Sequence, residues 1–551
     1  MEVLHTTGVS PGQGAALLAF AVLVLLWAYA ELLAFRKRGY QRVHSDEESS
    51  PPPMEAGGPI SAAEHAPAAA PDLSIANSGF IRCLRLDPEA LVSSRDGLRA
   101  AVEFGIIMLW YFLADRTKVF PETTKSYSRD VMAFIFLGLT IVAWMTSMRK
   151  GKAPVLLNRS QTEEWKGWMQ VLFLLYHYFE AKEVYNAIRV FIAGYVWMTG
   201  FGNFSYYYKT NDFSFGRFCQ MMWRLNFLVA MTCIVLRNSY MLYYICPMHT
   251  LFTIMVYACL GLGSRFNSTH TGVFVKLALC VVVVFVCWDI KPVFYAIWGP
   301  FKFLMGYIDP RRPGDDALYE WYFRSSLDRY VWIHGMLCAY LHPWCERVLQ
   351  SIESLAAKTR RFARGAMLLV AVALFYVWFE KVYRLPKLEY NKVHPYTSWI
   401  PITLWIVVRN VTPSLRMHSL GLYAWLGCIT LETYISQFHT WLSTGIPDGQ
   451  PKMLLAFFPA EYPLLNFAGT TAVYVFVSYR LFILTNTLKS VVVPSKTGPL
   501  MWRNFCLVVG GCGILYCSAW LILSGTGLRV KPALQDPSFR DAAAATEAFH
   551  P

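Results

Sequence analysis

Two apolar stretches of this chain carry imidazole and carboxylate groups at helical spacing. In the run ITLETYISQFH, residues 429–439, Glu432, Ser436 and His439 stand at i, i+4 and i+7, the repeat of one helix face. In the run EWKGWMQVLFLLYHYFE, residues 164–180, a turn of about 100° per residue brings Lys166, Gln170, His177 and Glu180 within roughly a quarter of the circumference. The other side chains of that helix are almost all Leu, Phe, Val, Met, Trp and Tyr. His177 follows Lys166 by about 16 Å of helix rise, which predicts a place near mid-membrane. Neutral imidazole is the usual side chain for accepting a proton near pH 7, and acyl transfer to a hydroxyl needs that proton removed. On this reading His177 is a general base or acyl acceptor oriented by Glu180. His439, with Glu432 behind it, is a second base or a substrate-positioning group. The plain alternative makes each imidazole a core residue bonded to a neighbouring helix; two of them, each aligned with a carboxylate, weigh against it.

Further polar groups lie in or beside apolar segments. Arg224 and Asn226 (MWRLNF) join Lys166, Gln170 and Ser436 as candidate binding groups. Asp115 and Arg116 (DRTKVFP) are added to that set, although charges of both signs at a span end also fit a solvated interfacial loop. Arg480 reads as structural, its long stem letting the guanidinium snorkel to the interface. The 13 cysteines fall mostly inside apolar segments with no CxxC pair, so neither a disulfide framework nor a metal site is expected.

Only a membrane can accommodate the elements that carry these residues. Of the 551 residues, 55% are hydrophobic and 16% charged, against roughly 25% charged in a soluble protein. Windows of about 20 apolar residues recur along the chain, each enough for one crossing. The expected fold is an all-α integral membrane protein, a polytopic bundle of about 12–14 transmembrane helices. The net charge of +14 would suggest nucleic acid in a soluble chain; here the basic residues cluster at span ends and set orientation, so no nucleic-acid partner is expected. Residues 1–38 read as a retained anchor with its N-terminus in the lumen, because Arg36-Lys37-Arg38 follows the apolar run directly. Residues 39–96, rich in Ser, Pro, Ala and acidic groups, read as a disordered cytosolic linker. Residues 97–525 form the multi-pass domain, and 526–551 a tail. Spans are predicted near 97–114, 130–148, 166–180, 186–203, 219–236, 240–263, 272–290, 328–345, 364–383, 398–411, 419–441, 463–485 and 502–524, with a re-entrant piece in 291–327. Alternation places the basic clusters at 149–152, 358–364 and 489–503 on the cytosolic side, and with them the four Asn-x-Ser/Thr motifs at Asn158, Asn203, Asn267 and Asn410. The basic segment DPRRP at 309–313 dissents, falling in the lumen.

The runs QTEEWKGWMQVLFLLYHYFEAKEVYNAIRVFIAGYVWMTGFGNF, FCQMMWRLNFLVAMTCIVLRNSYMLYYICPMHT and TLETYISQFHTWL strongly resemble the membrane domain shared by plant reduced wall acetylation proteins, fungal capsule O-acetylation proteins and animal sialic acid O-acetyltransferase. The resemblance covers roughly residues 97–525, and length favours the plant members. More distantly, the Lys166-Gly167 to Tyr176-His177 pattern and the Tyr434 to His439 helix resemble bacterial multi-pass O-acyltransferases.

The resemblance implies a Golgi membrane location, acetyl-CoA as acetyl donor, and acetylation of wall polysaccharides such as xylan. Fungal and animal relatives carry a lumenal esterase-like domain for which residues 36–96 leave no room. The resemblance therefore implies separate lumenal partners, the trichome birefringence-like polysaccharide O-acetyltransferases. Two functions remain in view: acetyl transfer across the membrane, and transport of acetyl-CoA or another acetyl donor without chemistry.

Overall fold

The computed structural model describes residues 8–47, 74–75, 78–117, 119–309, 312–444, 449–454, 461–493 and 498–526. Among them, helices account for nearly all regular structure; the one ladder is Met148–Lys150 paired antiparallel with His418–Leu420. Among the described residues, eight helices are long and apolar enough to cross a membrane: Pro11–Arg38, Arg95–Arg116, Arg129–Ser147, Phe215–Leu236, His270–Asp289, Ala357–Tyr383, Pro463–Val492 and Leu500–Gly525. Ile245–Gly261 is apolar but shorter. Three more have spanning length with polar faces: Arg159–Phe179, Tyr185–Thr210 and Val331–Ser354.

The distribution of side chains is that of a membrane protein. Large apolar residues face outward, as Phe134 and Leu369 do, at 77% and 71% exposure, whereas Glu432, His439, Asp328 and Gln437 are wholly enclosed. In hydrocarbon the outer surface costs nothing when apolar, and polar groups must find partners inside.

Two polar helices are held together by glycine. A Cβ on Gly167 would overlap the Tyr423 carbonyl, and one on Gly427 the Glu163 carbonyl, so the helices Arg159–Phe179 and Gly421–Cys428 cross at backbone contact. The second helix does not run straight: it breaks at Ile429, continues as Thr430–Ser436, and ends in a π-helical turn, Gln437–Trp441. Asn158 starts the first, its side chain accepting from the Gln161 amide at 2.9 Å. Glu180 ends it in a left-handed conformation, φ 56°.

Three expectations need correcting. The anchor helix continues to Glu47, and Gly79–Leu84 and Pro88–Ser93 form two helices packed on it through Leu26, Ala30, Cys83, Ala90 and Leu91, so both ends of the expected linker are folded; residues 48–73 lie outside the described residues. The helix bearing His177 begins at Arg159 rather than Lys166 and stops at Phe179. His177 therefore stands two residues from a helix end. Arg480 does not snorkel: it grips Glu103 with two bonds of 2.6 and 2.7 Å. Within 291–327, Lys291–Trp298, Lys302–Met305 and Tyr319–Leu327 are each too short to cross.

The short ladder marks one end of the bundle, hereafter the ladder end. Helix directions then place Asp115, Glu183, Tyr243 and His439 at the opposite, histidine end. All four Asn-x-Ser/Thr asparagines lie at the ladder end, and each amide donates to a backbone carbonyl at 2.9 Å: Asn158 to Arg416, Asn203 to Thr199, Asn267 to Leu260, Asn410 to Ile406. Glycan attachment would break these bonds. None of the four should carry a glycan, and a glycosidase-sensitive mass shift at any of them would reverse the orientation expected for the ladder end.

Candidate active site

The π-helical turn decides where His439 points. Its wider turn rotates His439 off the stripe that an unbroken α-helix would share with Glu432 and carries the ring to the end of helix Arg95–Arg116. There His439 Nδ1 lies 3.1 Å from Asp115 Oδ2, and Nε2 lies 2.5 Å from the Tyr243 hydroxyl. The Asp115 side chain is fully enclosed, as is His439. Asp115 further accepts from the Thr444 amide at 2.8 Å and the Thr444 hydroxyl at 2.7 Å, and lies 3.4 Å from Lys452 Nζ. Lys452 also donates to the Ala114 carbonyl. The result is a buried carboxylate that fixes an imidazole through one nitrogen and leaves the other on a phenol, the connectivity by which a triad orients its base.

Asp115 is thus no part of a solvated loop. It lies one residue from its helix end, turned inward, because Lys452 offers the compensating charge from a segment more than three hundred residues later. Its neighbour Arg116 faces outward and bonds the Leu236 carbonyl at 3.1 Å and the Asn238 side chain.

His177 enters the same end from the other polar helix. Its ring is half-buried, set edge-on to Phe173, Tyr176 and Phe438 at centroid distances of 4.7, 5.1 and 6.1 Å. Phe438 also touches Tyr243 and Tyr434 at 6.3 and 6.0 Å. Phe438, the residue before His439, thus brings His177 into the same aromatic cluster, although 262 residues separate the two imidazoles in the chain.

The partners expected for these histidines are elsewhere. Glu432 turns to Arg224, which donates to both carboxylate oxygens, the second at 3.1 Å, and to the Cys428 carbonyl at 3.3 Å. It lies about two turns below His439 and does not orient it. Glu180, at the solvent-facing cap, pairs with Lys182 at 2.9 Å. Ser436 bonds the Tyr111 hydroxyl, whose ring lies 5.2 Å from His439. Gln170 donates to the Thr433 hydroxyl at 3.1 Å and accepts from Tyr195 at 3.3 Å, tying both polar helices to a third. Lys166 pairs with Glu163 at 2.6 Å toward the ladder end. Asn226 bonds Thr250 at 3.0 Å and accepts from Tyr240 at 2.5 Å. Of the expected set, then, His177, His439, Asp115 and Ser436 gather at the histidine end; Lys166, Arg224 and Glu432 lie toward the ladder end.

Tyr243, Thr444, Lys452 and Tyr111 were not among the candidates. Only the charge of Asp115 at a span end was a signal in the sequence, and it named no partner. Among the described residues no His, Cys, Asp or Glu group could hold a metal ion.

Residues 79–505 match the family model described as "10 TM Acyl Transferase domain found in Cas1p". The N-acetylneuraminate (7)9-O-acetyltransferase of Danio rerio is 31% identical over 427 residues, covering 74% of this chain and 52% of that protein. The chain thus spans about half the length of this relative. No solved structure matches it.

The Arg224–Glu432 pair yields a test of structure against chemistry. Glu432→Gln leaves a guanidinium facing a neutral amide in the bundle interior, and losing one partner of a buried pair costs about 3–5 kcal/mol. The expected outcome is a clear fall in thermal stability of the detergent-solubilised protein, relieved in part by adding Arg224→Gln. Normal stability with lost activity would return Glu432 to a chemical role.

Proposed function

Because this chain belongs to the membrane acyltransferase family defined by the 10 TM domain found in Cas1p, we propose that it takes acetyl from cytosolic acetyl-CoA and passes it across the membrane to hydroxyl acceptors in the Golgi lumen. The observation that carries the proposal is the convergence of His177 and the Asp115-held His439 on Phe438 at one end of the bundle. In this reading the ladder end, with Arg149, Lys150 and Lys152, is cytosolic, and the histidine end and the N-terminus are lumenal, in accord with basic residues marking the cytosolic side.

The two ends divide the chemistry. Arg224, whose side chain keeps 29% exposure despite its pairing, and Lys166 are the cations on the donor side of the histidines and would meet the phosphates or carbonyls of acetyl-CoA. His177 would receive the acetyl unit or a proton. Its ring is half-buried against Phe173, Tyr176 and Phe438, whereas His439 is fixed at both nitrogens by Asp115 and Tyr243. Transfer to a hydroxyl requires that a base remove the hydroxyl proton as the new C–O bond forms.

The Danio rerio relative, an N-acetylneuraminate (7)9-O-acetyltransferase, supports O-acetyl transfer as the reaction class. For this chain we assign wall polysaccharides such as xylan as the final acceptors. We assign trichome birefringence-like transferases in the lumen as the partners that would complete the delivery.

Purified protein in liposomes, supplied outside with acetyl-CoA labelled in the acetyl group and in the CoA moiety, tests the reading. Free CoA should remain outside while acetyl label appears on a hydroxyl acceptor inside. Entry of both labels together would make the protein a carrier of the intact donor. In the same assay His177→Gln, which keeps hydrogen bonding and cannot titrate, should lower transfer by about 10²–10⁴-fold with unchanged thermal stability. Near-normal transfer would make His177 a packing residue.

A further inference from the structure

His439 has no free nitrogen to offer a substrate. Nδ1 faces Asp115 at 3.1 Å and Nε2 faces the Tyr243 hydroxyl at 2.5 Å. Any proton that His439 accepts from outside must therefore come through Tyr243, or Tyr243 must move away. We infer that Tyr243 is the catalytic residue that meets the acceptor hydroxyl, as the outer member of an Asp115–His439–Tyr243 proton relay. This inference rests on the acetyl-transfer reading above.

The bonding around the phenol supports it. Asp115 takes the Nδ1 proton, so Nε2 of the neutral ring is an acceptor and Tyr243 donates to it. The Tyr243 oxygen in turn accepts from Asn238 Nδ2 at 3.0 Å. If the phenol proton crosses to Nε2, every contact is still used. Asp115 then faces an imidazolium, and the phenolate oxygen holds two donors, Asn238 and His439. Lys452 beside Asp115 and Arg116 on Asn238 supply positive charge near both ends of the chain of bonds. The two protonation states use the same hydrogen-bond partners, which is the geometric condition for electrostatic preorganisation.

The position also suits an acceptor from the lumenal side. Tyr243 is fully buried and belongs to the connection Tyr240–Tyr243 between two helices at the histidine end, covered by Asn238 and the outward-facing Arg116. A sugar-like hydroxyl displacing the Asn238 amide would lie on the Tyr243 oxygen. In the reaction its O–H bond breaks, its proton passes to the Tyr243 oxygen, and the phenol's own proton passes to His439 Nε2. The hydroxyl oxygen bonds the acetyl carbon, the bond from that carbon to its leaving group breaks, and the leaving group departs with the electron pair. His439 then returns the proton through Tyr243 to the departed leaving group.

Two measurements test this, one of them independent of activity. The charged and titratable groups facing the pair are Asp115, Lys452 and Arg116, with Tyr111 and Cys233 beside it. A 3-fluorotyrosine placed at 243 should give a ¹⁹F resonance that shifts on Asp115→Asn and on His439→Gln. A resonance indifferent to both variants overturns the relay whether or not the preparation transfers acetyl. In the transfer assay Tyr243→Phe should cost about 10²–10⁴-fold with unchanged thermal stability. Fluorotyrosine at 243, a more acidic phenol, should retain activity and move the alkaline limb of the pH–rate profile to lower pH. Transfer near the wild-type rate in Tyr243→Phe, or an unmoved limb, overturns the inference. Wild-type protein that transfers no acetyl while the resonance responds would instead count against the function proposed above and leave the coupled geometry standing.

Discussion

A carboxylate enclosed in a membrane bundle is tolerable only when every lone pair and the charge itself are matched, and Asp115 is where this chain meets that demand. Its partners come from three separate places: His439 from the end of a broken helix, Thr444 just beyond it, and Lys452 from the segment that returns beside helix Arg95–Arg116. Taking away any of them leaves a buried charge under-satisfied, at a cost that rises as water is excluded. The geometry of the histidine end follows from that requirement. His439 points where Asp115 needs a donor, and the π-helical turn is the backbone adjustment that lets it do so.

The same rule repeats at other depths. Arg480 answers Glu103, Arg224 answers Glu432, and Arg409 answers Glu164, which also accepts the Leu420 amide at 2.9 Å. Asp328, wholly buried, is shared by Arg189 at 3.0 Å and His394 at 3.4 Å. These pairs join helices far apart in sequence. Where lipid provides no hydrophobic drive between helices, paired charges and close glycine crossings are what give the bundle a single arrangement. The crossing at Gly167 and Gly427 is the clearest case: it sets the spacing of the two helices that bear His177 and His439.

Glu432 and Asp115 both have fully enclosed carboxylates, yet one closes an ion pair with a guanidinium and the other holds an imidazole that faces a phenol. The difference lies in the partner, not in the carboxylate.

The membrane class, the positions of most helices and the apolar segments that carry the two histidines were legible in the sequence, because hydropathy and helical periodicity are local properties: 97–114 against Arg95–Arg116, 130–148 against Arg129–Ser147 and 219–236 against Phe215–Leu236 differ by a few residues. His177 and His439 stood out for the same local reason. Their partners did not. A regular α-helix was assumed through residues 429–439, which put Glu432 under His439; the π-helical turn rotated the ring away, and no local pattern announces such a turn. Asp115 meets His439 across 324 residues and Tyr243 meets it across 196. Such contacts are fixed by which helices pack together, so only the tertiary structure could show that Asp115 and Tyr243 hold His439.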